Sequence, residues 1–432
     1  MEVVNATPYV LLPFDYSPAP SMPALSLIVK GSFALRPDQP AVAVEKAKQR
    51  PVMADDVHMD DIGRSLRYAS DLVPIKVRGE VLVHAVCYTP DGRPRASCDV
   101  SIAVGPIQKA LRVSGDRAWS RDAQGQPIIG RTQPFESLPI RWERAFGGLS
   151  SPHNPLGRGI EPWPDDAGRS IYYLPNIEHR DKRVADPKDR PPPTGLGPIS
   201  PMWEPRLSQQ GTRDQRWAMF RAPLPPKDFD PRYFNAAPED QQLAEGYFAG
   251  DEPIVMTGLH KEIPVYRTSL PGKRLRVFLL VRQAKGAPSR FTEVEMKLDT
   301  VHIDMEAEEL VLVWRRPVLT KSVAHPEIEA CYIAEEDLAS QALSMEAHEA
   351  RFRELRGPQD PPLGAEVAKE IEQQTAEAKK ILRESKADPK VVAKIEQMKD
   401  PQEIYKALMD YAKQHIGEIE RMTASFKPPT GG

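Results

Sequence analysis

The segment between about residues 115 and 265 shows neither the two-residue hydrophobic period of strands nor the 3.6-residue period of helices. Proline takes 45 of the 432 positions of the chain, about twice the usual share of roughly 5%. Between residues 134 and 264 these prolines stand beside tryptophan, tyrosine, phenylalanine and leucine. Disordered segments lack such large apolar anchors, and loops of this length inside a compact domain are uncommon unless they are functional. We therefore predict long ordered loops.

Strand patterns fill most of the remaining chain up to about residue 333. Apolar and charged residues alternate in FTEVEMKLDTVHIDM, and LVLVWRR follows a short acidic break, so residues 299–316 are predicted to form an antiparallel hairpin. EVLVHAVCY and SCDVSIAVG flank the turn sequence Thr89-Pro90-Asp91-Gly92 and predict a second hairpin. The β-α-β alternation of a nucleotide-binding sheet is missing. Residues 1–333 are therefore predicted to form a mainly antiparallel β body, a sandwich or a barrel-like assembly.

Residues 334–432 differ in composition and are rich in alanine, glutamate, lysine, glutamine and leucine, which favour helices. A first helix is predicted from near Glu335 to Arg356, because Gly357-Pro358 would end it, and a second over about 364–386. The last predicted helix places Ile404, Leu408 and Tyr411, among others, along a narrow apolar seam. We expect an all-α C-terminal region, which makes the fold class α+β. The seam fits a partner helix, a contact between copies of the chain, or packing on the body, and these alternatives stay open.

Charge and cysteine content narrow the class of partner. The formal net charge is −3, which gives no bulk attraction to nucleic acid or to an anionic membrane. The three cysteines are odd in number and include no C-x-x-C spacing, so neither a disulfide framework nor a zinc ribbon is predicted. The sequence shows no signal-peptide pattern and no membrane span. We expect a cytoplasmic protein whose partner is a protein or a small molecule.

The sequence offers little support for a metal or nucleophilic site. DDVHMDD gathers four aspartates and a histidine over residues 55–61, but it matches no metal-binding motif, and neighbouring charges usually solvate a loop. No G-x-S-x-G motif is present, no glycine-rich turn precedes a helix, and Cys87 and Cys98 lie in predicted strands. We predict no metal, no cofactor and no catalytic residue.

One loop, PIRWERAFGGLSSPHNPLGRG at residues 139–159, combines charged side chains with aromatic residues and glycines. Glu143 could act as a general acid or base with His153 or Asp116, but the adjacent arginines favour its ionised form. The alternative is a stiff docking surface, in which aromatic residues fasten the loop to the core and glycines permit its shape. A stiff surface loses little entropy on binding. The predicted partner-binding residues in this loop are Trp142, Glu143, Arg144, Phe146, Asn154 and Arg158.

Several motifs occur together and in order over most of residues 1–320: DDVHMDD, SLRYASDLVPIKVRGEVLVHAVCYTPDG, LRVSGDRAW, PFESLPIRWERAFGG, NPLGRG, LPNIE, GTRDQRW, RAPLPPKDFDPRYFNAAPEDQ and GYFAGDEPIVMTGLH. Together they resemble an accessory family of bacterial type VI secretion loci, whose conserved region is catalogued as a domain of unknown function. Arg213 stands where that pattern has an aromatic residue. The helical region beyond residue 334 lies outside the resemblance.

The resemblance implies a non-enzymatic adaptor or chaperone in the bacterial cytoplasm. Such a protein would bind a toxic effector, or a VgrG or PAAR-type spike protein, and help load the effector onto the spike. Two other functions stay open: a hydrolase or carbohydrate-active enzyme that uses Glu143, and a structural component of the secretion apparatus.

Overall fold

The computed structural model describes residues 1–19, 21–164, 168–283, 287–322, 324–357 and 395. The chain divides into two compact units, Met1–Phe352 and Arg353–Gly432, and the first contains nearly all of the described residues. The predicted second and last helices of the C-terminal region lie outside the described residues, and with them Ile404, Leu408 and Tyr411.

Among the described residues the strands are, in chain order, β1 (Glu2–Asn5), β2 (Val10–Ala19), β3 (Met22–Ala34), β4 (Val42–Ala43), β5 (Asp56–Val57), β6 (Leu66–Tyr68), β7 (Glu80–His84), β8 (Val86–Tyr88), β9 (Ser97–Val104), β10 (Ile107–Ser114), β11 (Trp119–Arg121), β12 (Pro127–Ile129), β13 (Ser137–Pro139), β14 (Phe146–Gly147), β15 (Arg158–Gly159), β16 (Trp163–Pro164), β17 (Ser170–Ile171), β18 (Ile177–His179), β19 (Pro253–Thr257), β20 (Val265–Ser269), β21 (Lys273–Val281), β22 (Arg290–Val294), β23 (Lys297–Asp304), β24 (Glu309–Leu319) and β25 (Ile328–Asp337). The α-helices of this part of the chain are α1 (Arg206–Gln209), α2 (Gln215–Phe220) and α3 (Met345–Arg356).

Three sheets carry the longer strands. The first has the order β2-β3-β24-β23-β7, with β4 also paired to β3; the second has the order β18-β10-β9-β19-β20; and the third has the order β1-β25-β21-β22. Residues from all three sheets contribute to one hydrophobic core cluster. Positions 24–33 of β3 are all buried, so both faces of this strand are covered, and the buried set includes the polar residues Ser26, Lys30 and Ser32. The predicted β-rich body is therefore confirmed, and it contains several sheets.

The hairpin predicted over residues 299–316 is confirmed, because β23 and β24 pair antiparallel up to Asp304 and Glu309. The hairpin predicted around Thr89–Gly92 is wrong. β8 pairs with β13, whereas β9 pairs with β10 and β19. Alternation identified the strands correctly, but it carries no information on which strand lies beside which. Two pairs, β7 with β23 and β1 with β25, are parallel, so the sheets are not purely antiparallel.

The predicted helix start at Glu335 is also wrong. Residues 335–337 continue β25, and α3 begins only at Met345. The acidic residues at 335–337 suggested a helix because glutamate favours helices. In the structure they face basic residues of β21: Lys273 Nζ lies 2.6 Å from Asp337 Oδ1, and Arg276 Nη1 lies 3.0 Å from Glu336 Oε1. These cross-strand ion pairs support the strand. The predicted end at Arg356 is confirmed, and Gly357 follows with φ of +70°.

Candidate partner-binding site

The 139–159 loop is tied together by one buried side chain, Asn154. Its side chain is fully buried, and its Nδ2 donates hydrogen bonds to the carbonyl oxygens of Trp142 at 2.8 Å and Phe146 at 3.0 Å. The backbone N–H of Gly148 donates to the Asn154 carbonyl at 3.0 Å. The second half of the loop is therefore fastened to the first by both side-chain and backbone hydrogen bonds.

Two aromatic side chains of the loop are buried and anchor it to the body. Trp142 Nε1 donates to the Pro198 carbonyl at 2.9 Å, and its ring meets Trp203 edge to face with centroids 6.1 Å apart. Phe146 packs with Leu174 and Val184 in a separate apolar cluster. Trp142, Phe146 and Asn154 thus shape the loop from inside, and their side chains are almost entirely buried.

Close packing explains one of the glycines. β14 and β15 pair in parallel with Gly159 opposite Gly147, and the ring of the preceding residue, Phe146, packs against Gly159. Gly159 has φ of +119°, and a Cβ atom there would lie 2.9 Å from Cδ2 of the Phe146 ring. A larger residue would need both an unfavourable backbone conformation and a displaced ring.

Three charged side chains of the loop, Glu143, Arg144 and Arg158, interact with other groups of the protein. Glu143 accepts hydrogen bonds from the N–H and from the Oγ–H of Ser65, both at 2.8 Å. Arg158 Nη1 lies 3.0 Å from Asp116 Oδ1, and Arg144 Nη1 lies 3.8 Å from the same atom. Burial lowers the pKa of Arg144. The carboxylates considered for catalysis, Glu143 and Asp116, thus hold neighbouring loops together.

The loop borders an open cleft of about 660 Å³. Its walls come mostly from the proline-rich segment at 192–209 and from residues 232–242. From the 139–159 loop, Trp142 and the exposed His153 line the cleft. The charged side chains that line the cleft have both signs: Arg78, Lys109, Arg206 and Arg232, with Glu204, Glu239 and Asp240.

Two of these basic groups are held in fixed positions. Lys109 Nζ lies 2.8 Å from Asp240 Oδ1 and donates to Gln241 Oε1 at 2.9 Å. Arg206 Nη1 donates to the Ile199 carbonyl at 2.6 Å. Burial lowers the pKa of Lys109 and of Arg206. The cleft lining therefore includes two basic groups that are already hydrogen-bonded within the protein.

Residues 202–228, here called the 202–228 arm, contain α1 and α2 and carry exposed apolar side chains. Phe220 is 80% exposed, Met219 is 67% exposed and Met202 is 66% exposed. Sequence reasoning missed these residues. The sequence feature that could have indicated their exposure is the cluster Trp217, Met219 and Phe220 in α2, because a helix of six residues is too short to bury all three side chains.

Several hydrogen bonds connect residues within the arm. Asp214 caps α2 by accepting from the N–H of Trp217 at 2.7 Å, and Trp217 Nε1 donates to the Leu224 carbonyl at 2.8 Å. Thr212 donates to Asp228 through both its N–H and its hydroxyl group. Arg213, which replaces the expected aromatic residue, places its guanidinium 5.5 Å from the centroid of the Trp217 ring.

The DDVHMDD segment contributes to a buried cluster of histidines. The His58 and His84 rings lie tilted to each other with centroids 5.0 Å apart, and the His302 ring lies tilted against Tyr68 at 4.4 Å. Burial lowers the pKa of His58 to about 4 and that of His302 to about 3. Among the described residues, no group of three or more His, Cys, Asp or Glu side chains is arranged to hold a metal ion.

The fold and the site define a β-rich protein in which long loops, pinned by buried aromatic residues and amides, present a polar cleft and an apolar arm. A family model described as an uncharacterized protein conserved in bacteria (DUF2169) matches residues 21–315. The match covers more than half of the chain, so the protein belongs to this family, and all of the elements of the site lie within the matched residues. No curated protein and no solved structure matched the chain. Within the described part of the chain, no helix is long and apolar enough to cross a membrane.

Proposed function

We propose that the protein is a non-enzymatic adaptor that binds a type VI secretion effector and helps to load it onto the VgrG/PAAR spike. The observation that carries this proposal is the 202–228 arm, which holds Phe220, Met219 and Met202 in solvent on a hydrogen-bonded frame. The motif resemblance to an accessory family of type VI loci supplies the class of partner.

Burial energetics support a docking role for the arm. Single exposed apolar residues are common on protein surfaces, but here two large ones, Met219 and Phe220, are adjacent in α2, and a third, Met202, is exposed in the same arm. Aromatic residues and methionine are enriched at the centres of protein interfaces. Burying one such side chain stabilises a complex by about 1.5–3 kcal/mol, and a frame fixed beforehand loses little entropy.

The cleft supports the same proposal, because α1 belongs to the arm and also contributes to the cleft wall. Arg206 and Gln209 line the cleft, whereas Leu207 of the same helix is exposed. An effector segment with apolar side chains would cover the arm, and its polar backbone would meet the charged lining of the cleft. A surface that is apolar at one end and polar at the other would bind the effector with moderate affinity, which permits its transfer to the spike.

The test is co-expression of the full-length protein with each protein encoded in the same gene locus, followed by purification and by secretion assays in a deletion strain. We expect a stable complex with one effector or spike protein and loss of secretion of that effector on deletion. Absence of any such complex, with secretion unchanged in the deletion strain, would refute the proposal.

The same purified protein separates the two other functions. An enzyme that uses Glu143 would lose turnover in the Glu143→Gln variant, whereas the adaptor has no turnover to lose. A structural component would remain in assembled secretion particles after fractionation, whereas an adaptor would stay behind in the cell.

A further inference from the structure

Two cysteines from separate strands bring their sulfur atoms close together. Cys87 lies in β8 and Cys98 in β9, and their Sγ atoms are 3.1 Å apart. Their strands do not pair with each other: Cys87 lies opposite Leu138 of β13, and Cys98 lies opposite Val113 of β10. A disulfide bond has a sulfur–sulfur distance of about 2.0 Å, so closure needs an approach of about 1 Å.

The two thiols differ in their access to solvent and in their acidity. Cys87 is fully buried, whereas Cys98 is only partly buried. The hydrogen bond between the thiols, followed by the charge of Arg112 on the adjacent strand, lowers the pKa of Cys98. The same hydrogen bond, together with burial, raises the pKa of Cys87. Cys98 is therefore the more reactive sulfur, because the thiolate is the nucleophile.

We propose that Cys87 and Cys98 form a reversible disulfide bond by exchange with a small-molecule disulfide of the glutathione class. The Cys98 thiolate attacks one sulfur of the oxidised glutathione, forms a mixed disulfide and releases one glutathione thiolate. Cys87 then loses its proton and attacks Sγ of Cys98, which releases the second glutathione thiolate. The two electrons lost by the cysteines leave with the two glutathione thiols, and excess reduced glutathione reverses both steps.

The position of this bond connects it to the 139–159 loop. β13 ends at Pro139, the first residue of the loop, and the N–H of Ile140 donates to the Ala85 carbonyl at 3.0 Å. A bond between Cys87 and Cys98 would fasten the β8–β13 pair to the central strand of the five-stranded sheet. It would also lower the conformational entropy of the unfolded chain between the two cysteines. The oxidised protein should therefore unfold at a higher temperature than the reduced protein.

The test equilibrates the full-length protein in buffers with increasing ratios of oxidised to reduced glutathione, then traps free thiols with an alkylating reagent for peptide mass spectrometry. We expect one intramolecular crosslink, Cys87 to Cys98, with the loss of two hydrogens, and a higher melting temperature in the oxidised sample. Cys331, which is buried in β25 with its pKa raised to about 12 by burial, should stay reduced.

Two variants provide the controls. Cys98→Ala changes a partly buried position and should remove both the crosslink and the change in melting temperature with glutathione ratio. Cys331→Ala should retain both. Absence of the Cys87–Cys98 crosslink in fully oxidised glutathione would overturn the proposal, as would an equal change in melting temperature in Cys98→Ala.

Discussion

Replacing Asn154 by alanine should destabilise the protein by about 2–3 kcal/mol, although the residue contributes no charge and little apolar surface. The change removes two donated hydrogen bonds, to the carbonyls of Trp142 and Phe146. A buried group left without its partner costs about 1–3 kcal/mol. The Trp142 carbonyl still accepts from the N–H of Ala145 at 3.1 Å, which limits its share of the loss. In the described part of the chain Asn154 Oδ1 has no hydrogen-bond partner, so its removal slightly offsets the cost.

The assay is equilibrium unfolding in urea, with the free energy of unfolding taken from the transition midpoint and the slope. The matched control is Leu149→Ala in the same loop, because Leu149 is 86% exposed and its loss should change the free energy by less than about 0.5 kcal/mol. If Asn154→Ala were no less stable than Leu149→Ala, the account of how this loop keeps its shape would be wrong.

Two further outcomes follow from the packing and from the buried histidines. Gly159→Ala should lower the free energy of unfolding in urea by at least about 1 kcal/mol more than Gly125→Ala. Both glycines have positive φ, which costs alanine roughly 1–2 kcal/mol, but Gly159 also lies against the Phe146 ring, whereas no described atom lies within 4 Å of a Cβ at Gly125. Equal losses of stability would contradict the packing argument. The pKa of His302 is lowered by burial to about 3, below its unfolded value of about 6.5, so the unfolded state binds more protons between these values. The stability contributed by neutral His302 is present above about pH 6.5 and is lost as the pH falls towards the folded pKa. Between about pH 6.5 and 5 the free energy of unfolding should therefore fall less steeply in His302→Gln than in the unmodified protein. Identical slopes in the two proteins would contradict this.

Local patterns predicted local structure well. The 299–316 hairpin followed from alternation and a short acidic break, since both of its strands and its turn are contiguous in sequence. Gly357 marked the end of α3 for the same reason. The partner of β8 could not be predicted, because β13 lies about fifty residues away and its three residues carry no periodic signal. The start of α3 was missed because the acidic residues of β25 become favourable in a strand only when β21 lies beside them.

Some features of the site could likewise be predicted from local sequence, and others could not. The aromatic residues and glycines of the 139–159 loop indicated a pinned structure, and Trp142 and Phe146 are indeed buried anchors. The loop's surface chemistry was less predictable, because Glu143 is engaged by Ser65, a residue far away in sequence. The exposure of Phe220 was not predicted at all. Apolar residues usually indicate core, and only the fold determines which of them have nothing packed above them.

The central claim is that the 202–228 arm binds a partner protein, and the most direct measurement is the affinity of the purified co-expression partner for two aspartate variants. Phe220→Asp alters the arm, and Ile62→Asp is the matched control, because Ile62 is 97% exposed and lies outside the arm. Titration calorimetry should show a loss of affinity of tenfold or more for Phe220→Asp, which corresponds to about 1.4 kcal/mol, and affinity within about twofold of the unmodified protein for Ile62→Asp. Equal affinities for Phe220→Asp and the unmodified protein would contradict the account.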